Sequence, residues 1–433
     1  MKTIRFYLRL FVSLVRRYRF LILFSFLIGI FSFFFLPKIL GFLPKIKTTQ
    51  KYGLIGRYQI DEIPLRIQKQ ISFGLTKVDE KDIPLPAIAS SWEITNDNKT
   101  YVFKLREDLV WHDKTKLTAK DINYNLNDVS VKIVDPYTIE FNLKETFAPF
   151  LDVVSKPIFK KGFIGLGNYK VRKITKNGSF LESISLESLS ADQPNIKYNF
   201  YPTEDSAKTA LKLGEINHLS EIINNDGFNN WSNIQILANT SYDRFVGLFF
   251  NLNNPNFEDK LVRQGLSYAL TKNYGENRTY SPISPFSWAY NDEVKPYNYD
   301  PEKAKNTLTK KLTIKLLTVS SLLSEAEKIK SEWEKIGLKV EIGSYTGQTN
   351  FDVLLAMQEI PRDPDQYTLW HSTQAGNITK FKNARIDKLL EDGRKTLDQG
   401  ERKQIYFDFQ RYLLEDLPVI FLHYPTTYEI IRQ

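Results

Sequence analysis

From Phe20 to Leu36 the chain reads FLILFSFLIGIFSFFFL, and no charged residue interrupts it between Arg19 and Lys38. At the rise of an α-helix this uncharged stretch covers roughly 27 Å, close to the ~30 Å hydrocarbon thickness of a bilayer. Only Ser25 and Ser32 are polar, and they mark no solvent face, so a buried helix of a soluble protein is a poor fit. Bulky Phe33, Phe34, Phe35 and Leu36 lead into Pro37 where a cleaved leader would have small residues, so the segment reads as an uncleaved transmembrane anchor over 20–36. Six basic residues (Lys2, Arg5, Arg9, Arg16, Arg17, Arg19) precede it and three (Lys38, Lys45, Lys47) follow within the first 50 residues. The positive-inside rule then sets 1–19 in the cytoplasm, 37–50 as a linker and the body on the extracytoplasmic face of the cell membrane.

That asymmetry also explains the net charge. The chain carries 59 Lys+Arg against 50 Asp+Glu, and its first 50 residues hold nine of the basic side chains and no acid, so the body carries 59 − 9 = 50 of each sign. A neutral body is unsuited to nucleic acid, whose phosphates need cations on the folded domain. The absence of Cys excludes disulfides, zinc ribbons, thiol nucleophiles and a lipid-modified cysteine. A body of this length splits into at least two lobes.

The body reads as mixed α/β. TYVFKL (100–105) and TIEFNLK (138–144) alternate apolar and polar residues as half-buried strands do. Between them Thr118 and Asp121 stand at capping-box spacing ahead of Ile122, Tyr124 and Leu126, which predicts a helix. TIKLLT (313–318), a helix carrying Ala326, Ile329, Trp333 and Ile336 on one side, the stop at Gly337, and LKVEI (338–342) make a βαβ unit. FDVLLA (351–356) reads as a further strand. A helix over about 401–415 turns Ile405, Phe409, Tyr412 and Leu413 inward and gives way at Pro418 to the strand VIFLH.

Motifs for catalysis are scarce. His112, His218, His371 and His423 show no spacing that sets two imidazoles on one helix face, and the single Glu215/His218 pair lacks the second pair a di-metal site needs, so no metal or cofactor is expected. GxSxG, Walker and GxGxxG signatures are missing. Paired carboxylates of glycosidase type stay open, since 50 acids can converge from anywhere.

PLPAIASSWEITNDNKTYVFKLREDLVWHDKTKLTAKDINYNL (84–126) resembles the run P-x-L-A-x-S-W-E, D-x-x-x-Y-x-F-x-L-R, W-H-D-G and T-A-x-D-V of extracellular solute-binding proteins, family 5, the dipeptide- and oligopeptide-binding type of ABC importers. IGLGNYKV (164–171), ALKLGEIN (210–217), FFNLNNPNFEDKLVRQGLSYALTK (249–272), YDPEKAKNTL (299–308) and DPDQYTLWHS (363–372) follow in the family's order and spacing. The resemblance covers nearly everything after the anchor. It implies an α/β, two-lobed periplasmic-binding-protein-like fold (type II, cluster C) with an extra inserted domain. By that template 51–63, 164–247 and 416–433 form lobe I, 64–163 the insert and 248–415 lobe II. The crossings between lobes are expected in RFVGLFFN (244–251) and LPVIFLHY (417–424), acting as a hinge that a cleft ligand closes.

Many landmarks have a packing role. Trp92, Phe103, Leu105 and Trp111 read as core, Arg263 and Gln264 as residues holding a helix in register, Asp300 and Pro301 as a helix start, and Gly165 and Gly167 as a backbone crossing. Asp113 and Lys114 turn where the family has glycine. For ligand contact the best segment is MQEIPRDPDQYTLWHSTQAGN (357–377). Counted back from Pro364, the family's tryptophan position is Met357 and its amine-holding aspartate is Ile360, so both are replaced. The expected ligand residues are therefore Glu359, Asp363 and Asp365 as alternative acids, Arg362 for a carboxylate, Trp370, His371 and Asn377 beside them, Trp288 and Tyr290 as a second wall, and Asn251 at the end of the outgoing crossing. The expectation is a monomeric, membrane-anchored receptor that delivers peptides or a similar small solute to an ABC-type permease. The rival is a surface hydrolase using paired carboxylates in the same cleft; a sensor that has lost transport is a third reading.

Overall fold

A computed structural model describes residues 2–42, 47–308, 310, 312–348 and 350–433. It divides into two compact units, Met1–Thr48 and Thr49–Gln433. The first is helix Lys2–Phe42, with non-helical backbone at Tyr18 (φ −107°, ψ 16°) where the cationic stretch meets the apolar one. Among the described residues no single helix is long and apolar enough to cross a membrane, but Leu10–Leu21 and Leu23–Phe35, bent by 58°, pass that test as a pair. The expected anchor over 20–36 falls largely within the second member of this pair, which passes by length and composition alone. Residues 37–42, expected in a linker, continue the helix, and 43–46 of that linker lie outside the described residues.

The second unit is built on two large sheets. The first has seven strands, in the spatial order Ile234–Thr240, Thr426–Arg432, His218–Ile222, Thr49–Ile55, Asn195–Tyr201, Phe180–Ser188, Tyr169–Asn177. The second has six, in the order Asn277–Arg278, Val419–Tyr424, Arg244–Phe250, Val353–Glu359, Thr313–Thr318, Lys339–Ser344. Its central strand Arg244–Phe250 sends Val246, Leu248 and Phe250 into the core on one face and Phe245 and Phe249 into the core on the other. Burial on both faces is why this segment reads as an unbroken apolar run. The expected βαβ unit is present: Thr313–Thr318 pairs in parallel with Lys339–Ser344 through helix Leu323–Glu334, which buries Ala326, Ile329 and Trp333. The Trp333 indole donates to the Leu266 carbonyl at 3.0 Å, so its one polar atom is satisfied in the core. Gly337 ends the unit in the left-handed region (φ +89°), where a side chain would be strained.

A separate four-stranded antiparallel sheet, Ala89–Thr95, Thr100–Leu105, Thr138–Leu143 and Val129–Asp135, carries its own core of Tyr101, Phe103, Trp111, Phe141 and Phe150. The helix expected after Thr118 stops at a single 3-10 turn, Ala119–Asp121. Its cap forms, with the Thr118 amide donating to Asp121 at 2.8 Å. The chain then extends, because Asn123 accepts from the Asn125 amide at 2.9 Å and Asn125 adopts φ +48°. Such local amide bonds compete with a helix. Tyr124 instead donates to the Val154 carbonyl at 2.6 Å and accepts from the Leu75 amide at 2.9 Å, tying the extended segment down.

Gly165 and Gly167 mark a backbone crossing as expected: a Cβ on Gly165 would lie 2.0 Å from the Ile71 carbonyl oxygen, and one on Gly167 2.4 Å from that of Gln70. Lys114 takes the left-handed conformation (φ +68°) at the turn where the family has glycine. Arg263 donates to the carbonyls of Asp416, Leu417 and Glu258, and Gln264 to that of Glu415, holding their helix against the end of Gln399–Asp416. Asp300 caps the helix that starts at Pro301.

The crossings differ from expectation. Both Arg244–Phe250 and Val419–Tyr424 lie wholly inside the six-stranded sheet, and the chain changes sheets at 241–243 and at Pro425. The expected boundary at 247/248 falls inside strand Arg244–Phe250, and the one at 415/416 inside helix Gln399–Asp416. Apolar runs announce buried strands and not the sheet they join. The connectors are tied together: Thr240 pairs with Thr426, the Ser241 amide donates to the Pro425 carbonyl at 2.9 Å, and the Ser241 and Thr427 hydroxyls lie 3.3 Å apart.

Candidate functional site

Beside the connectors lies a cavity of about 200 Å³ assembled from both sides of the crossing. Asp79, Glu80 and Asp82 come from the turn between the paired strands Thr76–Val78 and Pro84–Pro86, Tyr242 and Asp243 from the connector itself, and Ile360, Pro361 and Arg362 from the loop after strand Val353–Glu359. The turn is closed by Asp79, whose carboxylate accepts from the amides of Lys81 (2.9 Å) and Ile83 (2.8 Å). On the opposite side the Ile360 amide donates to the Asp243 carbonyl at 2.7 Å, fastening the loop to the connector. The Tyr242 ring meets Phe286 edge-on at 4.8 Å, and these two rings form the apolar wall.

The charges face one another across the cavity. Burial pushes the Asp82 carboxyl up to about 6; Arg362 opposes that shift, and Asp152, Asp363 and Asp79 add to it. Asp152 is raised by burial and by Asp363, and Lys69 is lowered by burial and by Arg362. The Arg362 guanidinium has no hydrogen bond or ion pair among the described residues, although its charge acts on Asp82, Asp152 and Lys69. A second charged cluster spans the crossing nearby: Glu221 pairs with Arg66 and lies 4.0 Å from Arg244, which stands opposite Glu359 in the sheet register.

Of the residues expected to contact ligand, Arg362 lines the cavity and the others are placed elsewhere. Asp363 makes a two-pronged pair with Arg402, at 2.9 Å on one side, and Asp365 accepts from Arg394 at 2.8 and 3.1 Å. Both carboxylates are thus spent inside their own lobe. Trp370 is 2% exposed and donates to Gln366, and His371 stacks on Tyr367 at 4.2 Å with its ring nitrogens beside Thr373 and Glu391. Asn377 folds its own loop, donating to the Phe381 carbonyl and accepting from Thr379 and the Phe381 amide. Asn251 donates to the Phe351 carbonyl and accepts from the Asn253 amide. Trp288 packs between Tyr406 and the Arg402 guanidinium, and Tyr290 packs on the same core, its phenol raised by burial. Exposed Glu359 acts on Tyr58 and Arg244 and does not line the cavity. Met357 packs on the core of the six-stranded sheet; Ile360, at 7% exposure, closes one wall of the cavity with an apolar side chain.

The residues that sequence reading missed are Asp79, Glu80, Asp82, Tyr242 and Phe286. The run DEKD (79–82) is visible as a charged turn, but nothing local says that it faces Arg362, some 280 residues on in the chain. Away from the connectors the two sides also touch. The Ala148 amide donates to the Arg394 carbonyl at 2.7 Å, Lys395 pairs with Glu145 at 3.1 Å, and the Arg394 guanidinium lies 5.3 Å from the Phe147 ring centre. Among the described residues no group of three or more His, Asp or Glu side chains is arranged to hold a metal ion.

The sequence profile of bacterial extracellular solute-binding proteins, family 5 Middle, matches residues 84–379. The oligopeptide-binding protein AppA of Bacillus subtilis is 25% identical over 86% of this chain and 84% of its own length. The di/tripeptide-binding protein 1 of Pseudomonas aeruginosa is 23% identical over 84% of each. Among solved structures, NikZ of Campylobacter jejuni in complex with Ni(L-His) superposes with a TM-score of 0.75 at 26% identity, covering 89% of this chain and 94% of that one. The solved neighbour shares the two-lobed, mixed α/β architecture. The profile spans well over half of the chain, and the chain belongs to the family 5 bacterial extracellular solute-binding proteins.

Proposed function

We propose that this chain is an extracytoplasmic solute receptor that closes its two lobes on a small ligand in the cavity at the connectors and presents the closed form to an ABC-type permease. The observation that carries this reading is the cavity itself: its walls come from both sides of the crossing and meet at the two tied connectors, so a ligand bridging them favours the closed form over the open one. Peptides are the first expectation, by analogy with the oligopeptide- and di/tripeptide-binding relatives. A volume of about 200 Å³ lies below the roughly 300–1,000 Å³ of sites for drug-sized ligands, which favours a short solute. In this reading the four-stranded sheet with its own core is the inserted domain, and the apolar stretch 20–36 holds a monomeric receptor at the membrane with the six cations before it on the cytoplasmic side. The paired-carboxylate hydrolase is disfavoured, because Asp363 and Asp365 are each held by an arginine and the relatives are binding proteins.

Isothermal titration of the full chain with mixed di- and tripeptides, paired with small-angle scattering, tests the proposal. Saturable binding with a smaller radius of gyration is expected. Neither binding nor compaction with peptides, amino-acid chelates or oligosaccharides would sink the receptor reading.

A further inference from the structure

Part of the seven-stranded sheet is apolar on one face and polar, and open, on the other. On the apolar face Ile184, Leu186, Ile196 and Tyr198 are buried in one core with Ile67 and Ile71 of helix Leu65–Ile71. Alternate positions on the same strands turn the other way. There the strand register sets Lys51 beside Lys197, Lys197 beside Ser185 and Ser185 beside Lys173, so three lysines stand in one row across four neighbouring strands. Asn199, Ser183 and Thr175 form the next row on that face, and Lys170 stands opposite Glu187, its ion-pair partner at 3.3 Å. At the spacing of strands the backbones of Lys51 and Lys197 lie about 5 Å apart, and that of Lys173 about 10 Å further on. Lys51 and Lys173 are exposed and Lys197 is half-exposed, and none of the three side chains has a hydrogen bond or ion pair among the described residues. Like charges side by side in a sheet are destabilising. The face offers no acid to offset them, since Glu187 is already paired, so an anion from outside the chain is what the row lacks.

We propose that this row docks on the phosphate headgroups of an anionic membrane, the bilayer that holds the chain. This rests on the reading of 20–36 as an anchor and adds which face of the body meets the lipid. The row lies at the end of the sheet where the chain enters it. Lys51 is the third residue of strand Thr49–Ile55, and Lys197 is the third of the parallel strand Asn195–Tyr201. Residues 37–49 span at most roughly 45 Å even when fully extended, so the anchor keeps that end of the sheet within reach of the bilayer surface. The long lysine stems carry their ammonium groups clear of a flat sheet face. Ser185, standing in the row between Lys197 and Lys173, and Asn199 beside it are half-exposed and add hydrogen-bond donors for phosphate oxygens. Each lysine within a Debye length of an anionic leaflet raises the docked population about 5-fold, so three acting together decide the orientation of a body already tethered there.

The test reconstitutes the full chain into vesicles of phosphatidylcholine alone and of phosphatidylcholine with phosphatidylglycerol, and maps the rate of amine acetylation at each lysine by peptide mass spectrometry. Lys51, Lys173 and Lys197 are expected to react several-fold more slowly on the anionic vesicles, with the difference lost at high salt, while Lys132, exposed on the four-stranded sheet, reacts alike on both. In Lys51→Gln and in Lys51→Gln/Lys173→Gln, protection of Lys197 is expected to fall about 5-fold for each lysine removed. These are surface changes, and thermal unfolding confirms that each variant is folded. Equal reactivity of the three lysines on both kinds of vesicle, with the chain still floating with both, would overturn the docking and leave the anchor standing. Flotation with anionic vesicles alone, lost in Lys51→Gln/Lys173→Gln, would instead fail the anchor and uphold the row. Protection by soluble polyphosphate and none by phosphatidylglycerol would make the partner an anionic polymer and overturn the proposal.

Discussion

The Asp363–Arg402 pair gives a sharp test of whether an acid next to the cavity serves the ligand or the lobe. The side chains are 16% and 7% exposed, the carboxylate takes both guanidinium nitrogens, and Arg402 adds a bond to the Gly393 carbonyl at 2.7 Å. Asp363→Ala leaves that guanidinium buried with only Gly393 and the Tyr406 hydroxyl to face. Removing one partner of a buried pair costs about 3–5 kcal/mol, whereas replacing both by apolar residues is often neutral. The expected outcome for Asp363→Ala is an unfolding free energy lowered by that amount, seen as a lower urea midpoint at unchanged slope, with recovery to within about 2 kcal/mol of wild type in Asp363→Leu/Arg402→Met. The coupling from the full double-mutant cycle is expected to exceed ~1 kcal/mol, as for other contacting residues. Ligand affinity of the folded single variant is expected to stay within a few-fold of wild type, because the carboxylate does not line the cavity. An Asp363→Ala protein with wild-type stability and abolished binding would refute the reasoning and return Asp363 to the ligand.

Gly165→Ala is expected to prevent folding of the segment around it, since its Cβ would meet the Ile71 backbone carbonyl, the oxygen at 2.0 Å; circular dichroism and proteolysis report this, whereas the open-space variant Gly162→Asn is expected to fold normally. Asp82 has a folded-state pKa raised to about 6 against an unfolded value near ~3.9, so the folded state binds the proton more readily and stability rises as pH falls from about 7 to about 4. Asp82→Asn is therefore expected to raise the urea midpoint at pH 7.5 more than at pH 4.5, and an equal effect at both would exclude a charge origin. Glu145→Ala combined with Lys395→Ala removes the 3.1 Å ion pair between the sides remote from the connectors. It is expected to weaken compaction on ligand binding in scattering profiles while changing the unfolding free energy by under ~1 kcal/mol, as an exposed pair should.

Period-two alternation made Thr100–Leu105, Thr138–Leu143 and Thr313–Thr318 readable in the sequence, and the helix ended by Gly337 made the parallel pair around it readable too. The capping spacing at Thr118 was equally visible and misleading, because a cap satisfies one turn while Asn123 and Asn125 set the path of the chain beyond it. The site was harder for a physical reason. Acids are plain in a sequence, but whether one is free depends on distant cations: Asp363 is taken by a residue 39 positions on and Asp365 by one 29 positions on. Conversely, Asp82 and Arg362 become neighbours only once both connectors are in place. Trp370, His371 and Asn377 stand in the expected segment, yet each is turned inward by a bond that its own helix or loop supplies.

The strand Thr426–Arg432 lies between His218–Ile222 and Ile234–Thr240, pairing Ile430 with both Leu219 and Ile236. It is made only after the whole six-stranded sheet, whose strands run from Arg244 to Tyr424. During synthesis the six-stranded sheet can therefore close while Ile234–Thr240 has no neighbour to pair with, and the seven-stranded sheet waits for seven residues to arrive. Until then an apolar edge stays open, which is the state most exposed to wrong pairing and to chaperone capture. The seven residues that follow the return connector thus complete the first sheet, and removing them would leave Ile234–Thr240 without a partner strand.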